Sequence, residues 1–300
     1  MSADRMKMDR RTFLGGLSST LLAMVGCRSA SGVTVGSKNF TEQLVLGEML
    51  AQMLEAAGVN PVDRRFYLAG TYICQQALLA GRIDMYVEYT GTALAAVLKE
   101  KPSSNPAQVF EMVKREYARR FGLEVMPPLG FNNSFAIVMR GEDARQAHVQ
   151  TLSQLAGVAS KLRLGVGYEF MERPDGYQGL VSTYGLKFAE APRVMDLGLL
   201  YRAIESRQVD VAVGSNTDGL IAALRLVVLE DDKHYFPPYE AVPILRREIM
   251  EQHPQAQQVL LRLAGHITAE DMRQMNYAVD GEKKDAAEVV KKFIQAKKLA

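Results

Sequence analysis

Lys38, Thr41, Thr71, Thr90, Thr92, Arg173, Ser215, Asn216 and Thr217 all fall just after predicted strands or at predicted helix starts, as do Tyr86, Tyr89 and Tyr168. The set holds cations, hydroxyls and aromatic rings, but no base paired with a nucleophile. Aromatic faces attract a cation at about 0.5–2 kcal/mol each when desolvated. Lys38 and Arg173 offer charge-assisted hydrogen bonds to a carboxylate. A ligand with a quaternary ammonium at one end and a carboxylate at the other would use both. The plainer alternative is that the tyrosines pack a sheet, where Tyr is enriched, and that the two cations are solvated. Enzyme signatures are absent: there is no Gly-x-Ser-x-Gly, His-Glu-x-x-His or phosphate-binding loop. His148, His234, His253 and His266 are scattered, with no second His or Cys at metal-ligand spacing, so neither metal nor cofactor is expected. Asp231 and Asp232 are neighbours in a loop and read as solvated rather than catalytic.

Strands and helix starts must hold these side chains. Val33 to Gly36 reads as a strand, followed by a helix with Thr41 as its N-cap that stops at Gly58. Val62 to Phe66 is a second strand and Thr71 to Leu79 a second helix. Ile83, Met85 and Val87 alternate with Asp84 and Tyr86, which is strand periodicity. Pro106 opens a helix through Phe121. Leu162 to Val166, Val209 to Val213 and Leu226 to Leu229 continue the strands, and the chain from Arg246 onward is mostly helical. Strands separated by helices predict α/β units on a mainly parallel sheet. Two internal echoes sharpen this. The segment Ile83 to Thr92 lines up without a gap on Val209 to Asp218, 126 positions later, and Val35-Gly36 lines up on Val166-Gly167, 131 positions later. Two echoes in the same order predict two similar lobes, with the loops beyond their strand ends facing a shared cleft.

The chain has 300 residues, 48% hydrophobic and 23% charged, with a net charge of +2. That excludes a disordered chain and argues against a nucleic-acid binder. Residues 1–26 carry four Lys/Arg and two Asp/Glu, and the uncharged run Phe13 to Val25 is too short to span a bilayer. Basic start, short apolar run and Gly26-Cys27 together read as an export signal, twin-arginine-like at Arg10-Arg11. A lipobox would end at Cys27, the site of lipidation. The remaining chain is formally neutral, 32 basic against 32 acidic residues. Cys74 reads as a buried, inert thiol. There is no Trp, so any aromatic recognition comes from Tyr and Phe.

Val35-Gly36-Ser37-Lys38-Asn39-Phe40-Thr41-Glu42-Gln43, Asp84-Met85-Tyr86-Val87-Glu88-Tyr89-Thr90-Gly91-Thr92, Arg173-Pro174-Asp175-Gly176-Tyr177, Thr217-Asp218-Gly219 and Phe236-Pro237-Pro238-Tyr239 occur in order over residues 33–300. They resemble the glycine betaine/choline/carnitine-type substrate-binding proteins of ABC importers. The resemblance implies a two-lobed α/β fold of the type II periplasmic-binding-protein kind with a ligand cleft between the lobes. Lobe I would comprise 33–132 plus 239–300, and lobe II 136–236. It implies that Lys38, Thr92 and Arg173 hold a ligand carboxylate, and that Tyr89, Phe135, Ser215 and Tyr239 occupy the cation-box positions. Phe135 and Ser215 stand where that family usually has Tyr, so one wall of the box is missing. Tyr168 or Tyr201 would be candidates to refill it, and Thr71 and Asn133 are further candidate contacts. The implied role is extracytoplasmic capture of a quaternary ammonium compatible solute by cleft closure, for delivery to an ABC permease and its ATPase. The protein would be lipid-anchored, with no nucleic-acid partner and no catalysis. Alternatives are a bulkier betaine such as carnitine or ergothioneine, another small zwitterion or amino acid, and, in a different class, an envelope α/β enzyme.

Overall fold

The computed structural model describes residues 32–101 and 103–299. The expected export signal and Cys27 lie outside them. Among the described residues, ten strands run in chain order: β1 Val33–Gly36, β2 Val62–Arg65, β3 Met85–Tyr89, β4 Leu123–Val125, β5 Phe135–Arg140, β6 Leu164–Val166, β7 Arg193–Val194, β8 Val211–Ser215, β9 Leu226–Val228 and β10 Ala241–Arg246. They form two five-stranded sheets, ordered β2-β1-β3-β10-β4 and β7-β6-β8-β5-β9.

The two orders are the same pattern twice. β3 and β8 sit at the centre of their sheets 126 positions apart, as the internal echo predicts. β1 and β6 are likewise equivalent. The mainly parallel sheet needs correction. β2-β1-β3 and β7-β6-β8 are parallel, but β10 runs antiparallel to β3 and β4, and β5 runs antiparallel to β8 and β9. The cause is the chain path. β5 and β10 each enter from the other sheet, whereas a parallel neighbour requires a crossover, usually a helix, over the same sheet. The two entering segments pair with each other: Asn132 bridges Glu240, and the Asn133 N–H donates to the Tyr239 carbonyl at 2.9 Å.

Local sequence explains the elements that carry the site. The helix Pro106–Phe121 starts with Pro at its first turn, its Asn105 side chain accepts from the Gln108 N–H, and Gly122 ends it at φ +66°. The helix Thr41–Ala56 is capped by Phe40 backbone, so Thr41 is not the N-cap; its hydroxyl donates instead to Asp280 at 2.6 Å. All five residues of β3 are buried, because both faces of the sheet are covered. Met85, Val87 and Tyr89 face one apolar cluster and Tyr86 another. Cys74 is buried in the second of these, and burial pushes its thiol up to about 12, which keeps it unreactive. No described helix is long and apolar enough to cross a membrane.

Candidate ligand-binding site

β1 delivers Lys38 just beyond its end, and β3 delivers Glu88 and Tyr89. Lys38 Nζ forms a buried ion pair with Glu88, which also accepts from the Tyr86 hydroxyl at 3.1 Å and the Tyr89 N–H at 2.8 Å. Lys38 Nζ stands 5.0 Å from the centroid of the Tyr89 ring. The Tyr89 hydroxyl donates to Glu42 Oε1 at 2.6 Å, and Phe40 stacks beside it at 6.5 Å between centroids.

The crossover segments and the residues after the short helix Tyr168–Glu172 supply a second group. Arg173 binds both oxygens of Asp175, at 2.9 and 2.5 Å, and Asp175 also accepts from the Tyr239 hydroxyl at 2.7 Å. The Arg173 guanidinium lies over the Phe135 ring at 4.9 Å and the Tyr239 ring at 5.9 Å. Phe135 meets Tyr239 edge-on at 5.5 Å. Gly91, between Thr90 and Thr92, leaves the room that the Tyr239 ring fills; a Cβ there would lie 2.7 Å from it. Thr92 is buried in that turn.

The structure therefore gathers Lys38, Tyr89, Thr92, Asn133, Phe135, Arg173, Ser215 and Tyr239. It also shows what sequence reading missed. Both candidate carboxylate-binding cations already have carboxylate partners, Glu88 and Asp175. The Arg-x-Asp spacing in 173–175 was a local hint of the second pair; nothing local pointed to the first. Ser215 is not an open gap. Its hydroxyl donates to Asn133 Oδ1 and lies 2.9 Å from Thr217 Oγ1, so a larger side chain there must displace both. Tyr201 does not refill the wall: it packs on the opposite face of β8, with Ala136, Val138 and Ala212, and donates to Asp218. Tyr168 is 63% exposed and does not join the cluster. Thr71 is fully buried, and its hydroxyl has no hydrogen-bond partner among the described residues.

Glu42 ties the groups together. One oxygen accepts from Tyr89 and from Asn133 Nδ2 at 2.6 Å; the other accepts from Thr217 Oγ1 at 2.5 Å and Asn276 Nδ2 at 3.2 Å. Thr217 follows β8, so this contact spans the cleft. So do Asn39 to Asp196 at 3.4 Å, the Tyr72 N–H to Glu169 at 3.2 Å and Asn276 to the Thr217 carbonyl at 2.9 Å. Burial pushes the Glu42 carboxyl up, and its four donors pull it part of the way back. Burial also lifts Asp218 to about 7; Tyr201 and the Ser215 N–H oppose the rise, and Glu42 and Asp280 add to it.

The sign of the resulting pH dependence follows. Asp218 binds its proton more tightly folded than unfolded, so its favourable contribution is complete below its ordinary 3.8 and is lost as pH rises through about 7. Carboxylates held well below their ordinary value, such as Asp210 bonded by Arg163 and Arg140, change little over most of this window because they are largely ionised in both states. The melting temperature of the purified chain is expected to fall between about pH 4 and 7 at fixed ionic strength, and Asp218→Asn is expected to flatten the slope. A rising profile would contradict the assignment.

Two mixed sheets of one repeated order, joined by paired crossovers around a polar and aromatic cleft, define a two-lobed solute-binding protein. The profile of the family described as the substrate-binding domain of ABC-type glycine betaine transport systems matches residues 31–296, and the chain belongs to that family. It is a transport family rather than an enzyme family. The chain is similar to the carnitine transport binding protein OpuCC of Listeria monocytogenes, 32% identical over 93% of this chain and 91% of that one. It is 36% identical to the ergothioneine transport permease/ergothioneine binding protein EgtU of Helicobacter pylori, over 88% of this chain and 47% of that longer protein. Among solved structures, a glycine betaine/carnitine/choline ABC transporter protein matches at 32% identity with a TM-score of 0.73, covering 89% of this chain and 99% of that one.

Proposed function

We propose that this chain is the extracytoplasmic receptor of an ABC importer and closes its two lobes on a quaternary ammonium solute held against Tyr89, Phe135 and Tyr239. The observation that carries the reading is that Phe135 and Tyr239 meet edge-on at 5.5 Å and that all three rings already bear cations at cation–π distance, Lys38 over Tyr89 at 5.0 Å and Arg173 over the other two at 4.9 and 5.9 Å. The lobes are 33–132 with 239–300, and 136–236, hinged where the crossovers pair. Closure is a hinge motion in which the ligand adds contacts available only in the closed state. At the other end of the solute, Lys38, Thr92 and Arg173 receive an acceptor group, in competition with Glu88 and Asp175. Residues 1–26 direct export, and Cys27 carries the lipid that keeps the receptor at the membrane beside its permease. A bulkier betaine is the second reading, with which the ergothioneine-binding relative is consistent; Ser215, bonded to Asn133 and close to Thr217, does not by itself open room for it.

Titration calorimetry with choline, glycine betaine, carnitine and ergothioneine tests this. At least one is expected to bind, and Tyr89→Ala is expected to weaken it by about 1–2 kcal/mol, around tenfold. No heat with any of the four, or full affinity in a folded Tyr89→Ala variant, would sink the reading.

A further inference from the structure

We propose that Glu42 determines specificity for the cationic end of the ligand by acting through the ring of Tyr89. The inference rests on the reading above, that Tyr89 is a wall of a quaternary ammonium site. The Tyr89 hydroxyl donates to Glu42 Oε1 at 2.6 Å, so a carboxylate is bonded to the phenol of that wall. A phenol donating to an anion carries more electron density in its ring, and the ring face is what meets a cation. Burial, and then the neighbouring carboxylate, hold the phenol protonated, so it remains the donor.

Against the burial that pushes the Glu42 carboxyl up, the hydrogen-bond partners all favour the ionised form. At these contacts the amide groups of Asn133 and Asn276 can only donate, one to each oxygen, and Thr217 donates as well. The charged groups nearby do not neutralise it. Lys38 is ion-paired with Glu88, Asp218 lies beyond Ser215 and is itself acidic, and Glu42 joins none of the ion pairs among the described residues. Glu42 is 2% exposed. A dry, unmatched anion is costly until a cation arrives. A ligand cation on the Tyr89 face would supply that counter-charge.

Glu42 also accepts from Thr217 across the cleft, and the test separates the two roles. Binding of choline and of its uncharged carbon isostere, with a tert-butyl group in place of trimethylammonium, is measured in the wild-type chain, Glu42→Gln and Thr217→Val. Glu42→Gln keeps the side chain's shape and removes the charge. It also turns one acceptor oxygen into a donor, which affects both ligands alike, and is expected to weaken choline by roughly tenfold or more beyond any loss for the isostere. Thr217→Val removes the cross-cleft bond and keeps the charge, so it is expected to weaken both ligands by one common factor. A common factor for both ligands in Glu42→Gln, or no loss for either, overturns the proposal. A wild-type chain that binds no quaternary ammonium overturns the functional reading itself, and the inference with it.

Discussion

Arg173→Ala is expected to cost about 3–5 kcal/mol of folding stability, measured by urea unfolding at neutral pH. The Arg173 and Asp175 side chains are 5% and 1% exposed, and the guanidinium spans both carboxylate oxygens. Without Arg173, the Tyr239 hydroxyl is the remaining side-chain donor to Asp175, at 2.7 Å. A buried carboxylate left without its cation either keeps its charge in a dry site or takes up a proton, and both are costly. The double variant Arg173→Met/Asp175→Asn removes both charges together and is expected to recover most of the loss, because replacing a buried pair is far cheaper than breaking one. It is not expected to recover ligand binding, since the guanidinium that receives the acceptor end of the solute is gone. A single variant costing under about 1 kcal/mol, or a double variant no better than the single, would contradict the account.

The second large effect concerns closure. Gly219→Ala is expected to weaken ligand binding by about ten- to a hundredfold while leaving the fold intact. Gly219 has φ −65° and ψ −25°, which alanine adopts freely, so no local strain is involved. A Cβ at this position would lie 2.5 Å from Tyr277 Cα and N. Those are backbone atoms and cannot rotate away. Gly219 follows β8 on one side of the cleft, and Tyr277 lies in the helix Ala269–Asp280 on the other. The neighbouring Asn276 bonds both Thr217 and Glu42, so the overlap must be relieved by separating the lobes. Overpacking of this kind costs about 1–3 kcal/mol, and here the cost falls on the closed state. Calorimetry gives the affinity, and small-angle scattering is expected to show a larger ligand-bound radius of gyration than in the wild type. Wild-type affinity in Gly219→Ala would mean that closure does not need this contact.

Sequence reading reached different depths for different features. The helices Thr71–Leu79 and Pro106–Phe121 fall on the predicted residues, because their starts and stops are local signals. The predicted strand at 83–87 slides to Met85–Tyr89: Asp84 uses its carboxylate to accept the Thr34 N–H at 2.8 Å and to face Arg246, and the ladder begins after it. The strands β5 and β10 went unread. Phe135–Arg140 and Ala241–Arg246 are short apolar runs, and their strand character depends on partners in sheets they reach only after crossing between lobes.

The α/β alternation, the twofold repeat and the kinds of side chain at the strand ends are legible in the residues alone, because each is written within a few residues or in a fixed offset. Which of those side chains are free for a ligand depends on how the chain packs. Lys38 meets Glu88 fifty residues on, Arg173 lies over Tyr239 in a crossover, and Glu42 reaches Thr217 across 175 residues of chain. In a dry cleft every charge and hydroxyl must find a partner, and the partners available depend on how the two lobes meet.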